Sequence, residues 1–187
     1  KLVTGVQTCA LPIWLVARGH AVTLFATGNS RTSAALHAVH PHGYTEDPTM
    51  WPWELYELLN LAAAIERSAA FDIVHVQANY FPMALAFIRL SAAPVVQTLH
   101  HAPSPSEVRL WARYPDAAFI AVSREQARLL DGTRVVGTVL HAIDTAAYAF
   151  SPAADDDEDY VLFLGRFTEG KGVEQAIDVA RRAGIRL

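Results

Sequence analysis

"FDIVHVQANYFPMALAFIRLSAAPVVQTLHH" (71–101) decides the fold class, because it places a strand, a helix and a second strand in succession. The runs "FDIVHV" and "APVVQTL" are short, apolar and rich in β-branched residues, which is typical of buried strands. "YFPMALAFIRL" between them is long enough and apolar enough for a helix. Strands that alternate with helices in this way predict a parallel sheet.

The same alternation continues on both sides of this stretch. Before it, "AVTLFA" (21–26) predicts a strand, and apolar residues at helical spacing over 53–68 predict a helix. After it, "SPSEVRLWARY" predicts a helix, and "AAFIAV" and "TRVVGTVL" predict two further strands. Ser123, with Gln126 three residues later, forms the capping-box pattern of a helix start. We therefore predict an α/β domain over 14–150 with a doubly wound parallel sheet.

Composition limits the classes of function. The chain has 187 residues, of which 52% are hydrophobic and 18% charged, so it can bury a sizeable core. A net charge of -4 gives no general attraction to nucleic acid or to an anionic membrane. No apolar run reaches the roughly 18 residues of a spanning helix, and no signal peptide is recognisable. One cysteine excludes a disulfide framework, so we expect a cytoplasmic protein.

The first residues need separate treatment. "VTGVQTCALPI" (3–13) resembles the translation of one reading frame of a widely used DNA sequencing adapter. The alternative is a genuine strand and turn, because Val-Thr-Gly-Val could be a strand that enters a glycine loop. We set residues 1–13 aside as a non-native segment, and expect the native part to begin near Trp14 with its true start missing.

Composition changes again near the end of the chain. Five consecutive acids occupy 155–159 and predict a solvated linker over 151–159. After them, "YVLFL" predicts a strand and "GVEQAIDVARRAG" a helix closed by Gly184. Residues 160–187 therefore read as the truncated start of a second α/β domain.

A glycine-rich motif joins this strand to this helix. Gly165 leaves the strand at the carboxyl edge of a sheet, where open α/β folds bind ligands. Gly170 and Gly172 let the backbone approach a ligand, and the helix start offers free N–H groups to a phosphate. Arg166 can form two hydrogen bonds to phosphate oxygens, and Lys171 adds a point charge. The pair could neutralise a diphosphate.

Two other interpretations of the motif stay open. The first is a tight turn that needs glycines and leaves both cations merely exposed. The second is a P-loop, which also has four residues between a glycine and a Gly-Lys pair. Gly172 stands where a P-loop has Ser or Thr for Mg²⁺, and Glu169 would lie near the phosphates.

Taken together, these segments resemble the retaining glycosyltransferases of family 4. "FLGRFTEGKGVEQAIDVARRAG" is similar to the start of that family's donor domain. "RGHAVTLFATGNS", "FDIVHVQ", "VVQTLHH", "AVSREQA" and "VLHAIDTAAYAF" are similar to its N-terminal domain and crossover, in the same order. The resemblance covers nearly all of 14–187. It implies the GT-B fold, in which two Rossmann-like domains face each other across a cleft.

The resemblance also implies residue roles. Arg166 and Lys171, with Gly165 at the turn, would bind the donor diphosphate, and His100 would be the catalytic residue that faces the donor sugar. The family transfers the sugar with retention, generally without a protein nucleophile and often without a metal. We therefore predict a hexosyl-type transferase in the full-length parent, with no cofactor and no metal. The nucleotide sugar is then a co-substrate.

The acceptor side is less defined. Asn79 and Tyr80 follow the carboxyl end of a strand and are weak candidates for acceptor contacts, as is Ser123 beside its role as a helix cap. The acceptor could be a glycan, a lipid or a small molecule, and nucleic acid is not expected. Such enzymes can lie peripherally on membranes, although no basic amphipathic helix supports this here. The histidines near 37–42 lack carboxylates or cysteines at metal-ligand spacing.

Several features depart from the family pattern. The family's first strand with its glycine-rich loop, replaced here by the adapter-like residues, and the later paired-Glu element are absent, so we expect the fragment itself to be inactive. His141-Ala142 replaces the usual Asn-Gly of the crossover, and Gln77 replaces the second His of the "HVH" strand. A GT-B nucleotide-sugar epimerase and a non-catalytic fragment are the alternative functions.

Overall fold

The computed structural model describes residues 2–4, 10–43, 46–47, 49–77, 82–142, 145–147 and 160–187. They fall into two compact units, Lys1–Ala142 and Ile143–Leu187. The strands of the first unit are β1 (Leu2–Thr4), β2 (Thr23–Phe25), β3 (Ala35–His37), β4 (Val74–Val76), β5 (Val95–Thr98), β6 (Ala118–Ala121) and β7 (Arg134–Thr138). Its helices are α1 (Ala10–Ala17), α2 (Trp53–Glu66), α3 (Pro82–Phe87), α4 (Pro105–Trp111) and α5 (Arg124–Leu129), with a 3-10 turn at Ser68–Ala70.

These strands form one parallel sheet in the order β3-β2-β1-β4-β5-β6-β7. The strand order reverses direction between β1 and β4, where Val3 pairs with Leu24 on one side and with His75 on the other. Such a switch point is where open α/β sheets bind ligands, beyond the carboxyl ends of the strands. The prediction of a Rossmann-like, doubly wound parallel sheet is confirmed.

Helices cover both faces of the sheet, as two adjacent residues of β2 show. Side chains alternate between faces along a strand, so Leu24 and Phe25 point in opposite directions. Leu24 packs with Leu15 of α1, whereas Phe25 is buried with Ala64 of α2. A further cluster around Trp111 packs helices α3 to α5 against β6.

The structure corrects the treatment of residues 1–13, which were set aside from the fold. Leu2–Thr4 is the central strand β1, and Ala10–Ala17 is helix α1, which continues into the segment taken as native. A short β-branched apolar run suffices for a strand, and Pro12 lies in the first helical turn, where its missing N–H costs no hydrogen bond. The alternative of a strand at this point is therefore what the fold shows. The adapter origin of the segment stays a prediction.

Two other strand assignments differ from expectation. Strand β3 was missed, because it is a three-residue edge strand that follows a polar, turn-rich run. The predicted strand "YVLFL" is wrong beyond its first residue: Tyr160 makes a single parallel bridge to Arg186, and Leu162 and Leu164 are 77% and 92% exposed. An apolar run becomes a strand only where a neighbour pairs with its backbone, and among residues 160–187 only that one bridge forms.

The second unit is described by itself. It has 3-10 turns at Thr145–Ala147 and Glu169–Lys171, followed by helix α6 (Val173–Ala183). The predicted closure of α6 by Gly184 is confirmed, since this glycine adopts φ 67° at the helix end. The expected linker, 151–159, lies outside the described residues.

Candidate functional site

The loop after β5 carries His100 and is held by a buried glutamine of the next crossover. Gln126 of α5, 5% exposed, donates from Nε2 to the carbonyl oxygens of Leu99 at 3.2 Å and His101 at 2.7 Å. Its Oε1 accepts a hydrogen bond from the backbone N–H of Val122 at 2.7 Å. The backbone on both sides of His100 is therefore fixed to the start of α5.

Ser123 is the N-cap of α5, as its sequence pattern predicts. Its Oγ accepts from the backbone N–H of Gln126 at 3.0 Å, which completes the first half of a capping box. The second half differs, because the Gln126 side chain binds Val122 and the His100 loop. A role for Ser123 in acceptor binding stays a prediction.

A polar network joins His100 to the end of the neighbouring strand β4. His100 Nε2 lies 2.6 Å from Gln77 Oε1, and Gln77 Nε2 lies 2.7 Å from His75 Nε2. Gln77 Nε2 also donates to Thr98 Oγ1 at 3.2 Å, and Thr98 Oγ1 lies 2.8 Å from His75 Nε2. The register explains this contact: His75 pairs with Val96, so Gln77, two residues further on, lies opposite Thr98.

Burial keeps both histidines of this network neutral. It lowers the pKa of His75 from 6.5 to about 4, with a smaller contribution from the neighbouring His100. The pKa of His100 is lowered first by burial and then by His141 and His101. The rings of His100 and His141 stack with centroids 5.6 Å apart and planes 17° apart. At neutral pH, His100 therefore offers one donor nitrogen and one acceptor nitrogen.

His101 turns away to a different partner. Its Nε2 lies 3.0 Å from Glu107 Oε1, and Glu107 completes the capping box of α4 with Ser104. Burial raises the pKa of Glu107, but hydrogen bonds from Ser104 and His101 outweigh it and lower the pKa overall. His101 is thereby tied to the start of α4.

The glycine motif of the second unit forms a compact turn before α6. A Cβ added at Gly165 would lie 3.2 Å from the Phe163 ring and 3.8 Å from Lys171 Cβ, so the two ends of the motif are neighbours. Gly172 adopts φ 72° immediately before the helix, a conformation that favours glycine. Arg166 and Lys171 are exposed, and neither forms an ion pair with any residue that the structure describes. Two cations are thus available at this turn.

Other candidates are not brought into either site. Asn79 and Tyr80 lie outside the described residues. Among the residues that are described, no three or more His, Cys, Asp or Glu side chains are grouped so as to hold a metal ion. No helix in the same residues is both long enough and apolar enough to cross a membrane.

Sequence reasoning noted Gln77 and Gln126 but missed their part in the site. Gln77 stood out only as a departure from a family pattern, and Gln126 only as part of a cap. The usable signal was the position of Gln77, because polar residues at the carboxyl ends of adjacent parallel strands lie at the same end of the sheet.

Fold and site together define a Rossmann-like α/β domain with a polar network at the carboxyl ends of adjacent parallel strands. A family model described as Glycosyltransferase Family 4 matches residues 5–145. The chain therefore belongs to glycosyltransferase family 4, whose members transfer a sugar from a donor to an acceptor. The matched range includes residues 5–13, which the sequence analysis set aside. No curated protein matches the chain.

Proposed function

We propose that this chain is the acceptor-side domain and the first part of the donor domain of a retaining, nucleotide-sugar-dependent glycosyltransferase of the hexosyl type. The observation that carries the proposal is His100. It follows β5 at the edge of the sheet, its backbone is held on both sides by Gln126, and its ring is kept neutral. A fixed, neutral imidazole suits hydrogen bonding to an uncharged sugar.

The second unit supports the donor half of the proposal. Arg166 and Lys171 are exposed cations on a glycine turn that leads directly into α6. As the bond between sugar and diphosphate breaks, negative charge grows on the leaving diphosphate. A guanidinium and an ammonium that contact it bind the transition state more strongly than the ground state, which is what accelerates the step.

The remaining roles follow from the same assignment. The nucleotide sugar is a co-substrate, and the reaction needs neither a resident cofactor nor a metal, since the two cations supply the positive charge. Asn79, Tyr80 and Ser123 are the acceptor-side candidates. Retention means that the new glycosidic bond keeps the anomeric configuration of the donor.

Substitution of the cations in the complete parent enzyme tests this proposal. Arg166→Ala or Lys171→Ala should each lower kcat by roughly 10²-fold or more, the scale for the loss of a transition-state charge partner. Arg182→Ala is the matched control, because Arg182 is an exposed cation of the same unit that pairs with Asp178 at 2.7 Å. Unchanged rates in the first two variants would contradict the proposal. Conversion of the donor sugar with no acceptor present would indicate an epimerase instead.

A further inference from the structure

Gln77 is a buried side chain beside His100 whose amide nitrogen and oxygen both form hydrogen bonds. It follows β4 directly and is only 3% exposed. Its two amide atoms take part in three contacts, with His75, Thr98 and His100. Such a buried amide is a constraint on its neighbours, because its nitrogen can only donate and its oxygen can only accept.

The donor end of the amide fixes the state of His75. Gln77 Nε2 lies 2.7 Å from His75 Nε2, so that ring nitrogen must accept. A neutral histidine with an accepting Nε2 carries its proton on Nδ1. The low pKa of His75 keeps the ring neutral and so preserves the lone pair that the amide needs.

The acceptor end of the amide then fixes the state of His100. With Nε2 directed at His75 and Thr98, Oε1 faces His100 Nε2 at 2.6 Å. A carbonyl oxygen only accepts, so His100 Nε2 carries the proton and Nδ1 has the lone pair. Within the described residues, His100 Nδ1 has no hydrogen-bond partner.

We propose that Gln77 is a positioning residue that selects the tautomer of His100, keeping the proton on Nε2 and presenting Nδ1 as a hydrogen-bond acceptor. The hydrogen bonds in the chain His100–Gln77–His75 both run in one donor-to-acceptor direction, from the β5 loop to strand β4. The group that meets Nδ1 must then be a donor, such as a sugar hydroxyl; a carboxylate at the same place would face a lone pair. This last step rests on the proposed glycosyl transfer, whereas the tautomer does not.

Ring nitrogen chemistry can be read directly by long-range ¹H–¹⁵N correlation spectra of the labelled chain near pH 7.5. We expect a protonated Nε2 and an unprotonated Nδ1 for His100, with the reverse for His75. His100→Ala and His75→Asn assign the signals. If the Gln77 amide is turned around, both rings show the opposite tautomers, and this result would overturn the proposal.

Two variants separate positioning from a structural role. Gln77→Leu removes both ends of the amide, so His100 should become a mixture of tautomers. Gln77→Glu keeps an acceptor for His100 but loses the amide donor for His75, so His100 Nε2 should stay protonated while His75 loses its fixed tautomer. Gln97→Leu is the matched control: Gln97 is a buried glutamine of β5 whose amide atoms have no hydrogen-bond partner among the described residues. An unchanged His100 signal in folded Gln77→Leu would contradict the proposal.

Activity of the complete enzyme adds the substrate half of the test. Gln77→Leu should lower kcat/KM by about tenfold, the equivalent of one hydrogen bond, and Gln97→Leu should not. If His100 becomes a mixture of tautomers in Gln77→Leu but the activity of this variant is unchanged, then His100 Nδ1 does not bind the substrate, and this part of the proposal is overturned. That failure is distinct from failure of the proposed function, which the Arg166 and Lys171 variants decide.

Discussion

The end of β4 and the middle of β5 each bury a glutamine, and the two differ in every other respect. Gln77 is 3% exposed and its amide is fully paired, whereas Gln97 is 0% exposed and its amide is unpaired within the described structure. They also lie on opposite faces of the sheet. Gln97 is in register with Val76 and Phe119 on the face opposite to Gln77, and no described residue there pairs with its amide.

This contrast separates two consequences of burying an amide. A buried donor or acceptor without a partner costs about 1–3 kcal/mol of stability. At the sheet edge, Gln77 avoids this penalty and gives His100 a defined chemical state. In the sheet interior, Gln97 carries the penalty, because no described residue forms a hydrogen bond with its amide. The four expectations that follow test the contrast, from the largest effect to the smallest.

Gln77→Leu should lower the free energy of unfolding by about 3 kcal/mol, because His75 and His100 both lose a buried hydrogen-bond partner. Urea denaturation followed by circular dichroism measures the change. Gln77→Met keeps a side chain of similar length and volume but removes both hydrogen bonds, so it should lose nearly as much as Gln77→Leu. A much smaller loss in Gln77→Met would mean that packing, and not hydrogen bonding, makes Gln77 important.

Acidification should destabilise the protein through His75. Because the pKa of His75 is about 4 in the fold and 6.5 when unfolded, the unfolded chain binds the proton first as pH falls. The stabilising effect is complete above pH 6.5 and is lost as pH falls towards 4, which amounts to about 2 kcal/mol between pH 7.5 and 5.

The control for this pH effect is His75→Asn, which has no titrating ring. Denaturation curves at the two pH values should differ much less in this variant than in the wild type. His100 acts in the same direction, so a smaller residual loss is expected. A pH loss of equal size in both proteins would place its origin elsewhere.

Gln97→Leu should raise the free energy of unfolding by about 1–2 kcal/mol, because it replaces an unpaired amide with an apolar group of similar size. Thermal denaturation detects the gain as a higher Tm. Gln97→Ala, which removes the amide but leaves a cavity, is the comparison. A less stable Gln97→Leu protein would show that the amide has a partner, and the contrast with Gln77 would fail.

Ser123→Ala should have the smallest effect, a loss of about 1 kcal/mol for the α5 cap. The His100 ring signals should stay unchanged, because Gln126 still binds the loop through its side chain. Chemical denaturation and the ¹H–¹⁵N spectra together check this. A shifted His100 tautomer in this variant would show that the cap, and not Gln77, sets the state of the ring.

Sequence patterns predicted those parts of the fold that depend on local apolar runs. Strands β4, β5 and β6 and helix α2 follow directly from such runs, since both faces of the sheet are covered. Apolar runs gave the wrong strand assignment where backbone pairing with a neighbouring strand decides whether a segment is a strand. "YVLFL" has the composition of a strand but makes only one bridge, and edge strand β3 has pairing without an apolar run. Strand β1 was lost for another reason, since its residues were judged by their origin and not by their pattern.

The residues of the candidate site also divide into those that a local sequence pattern indicates and those that depend on strand pairing. His100, Arg166 and Lys171 could be proposed as candidates because the sequence itself shows a glycine motif and a histidine at a strand end that match a family pattern. The Gln77 network was not, because it depends on the β4–β5 register, which sets Gln77 opposite Thr98. Side-chain direction across a sheet follows from pairing, and pairing is a property of two segments at once.

The Gln126 side chain has a fixed length and joins the start of α5 to the loop after β5. The number of residues in that loop is therefore constrained. Its amide meets the carbonyls of Leu99 and His101 at one end and the N–H of Val122 at the other. A residue inserted between Leu99 and His101 would move one carbonyl out of reach and release the backbone around His100. This loop should therefore tolerate substitution better than insertion, and engineering that lengthens loops at this end of the sheet should leave it unchanged.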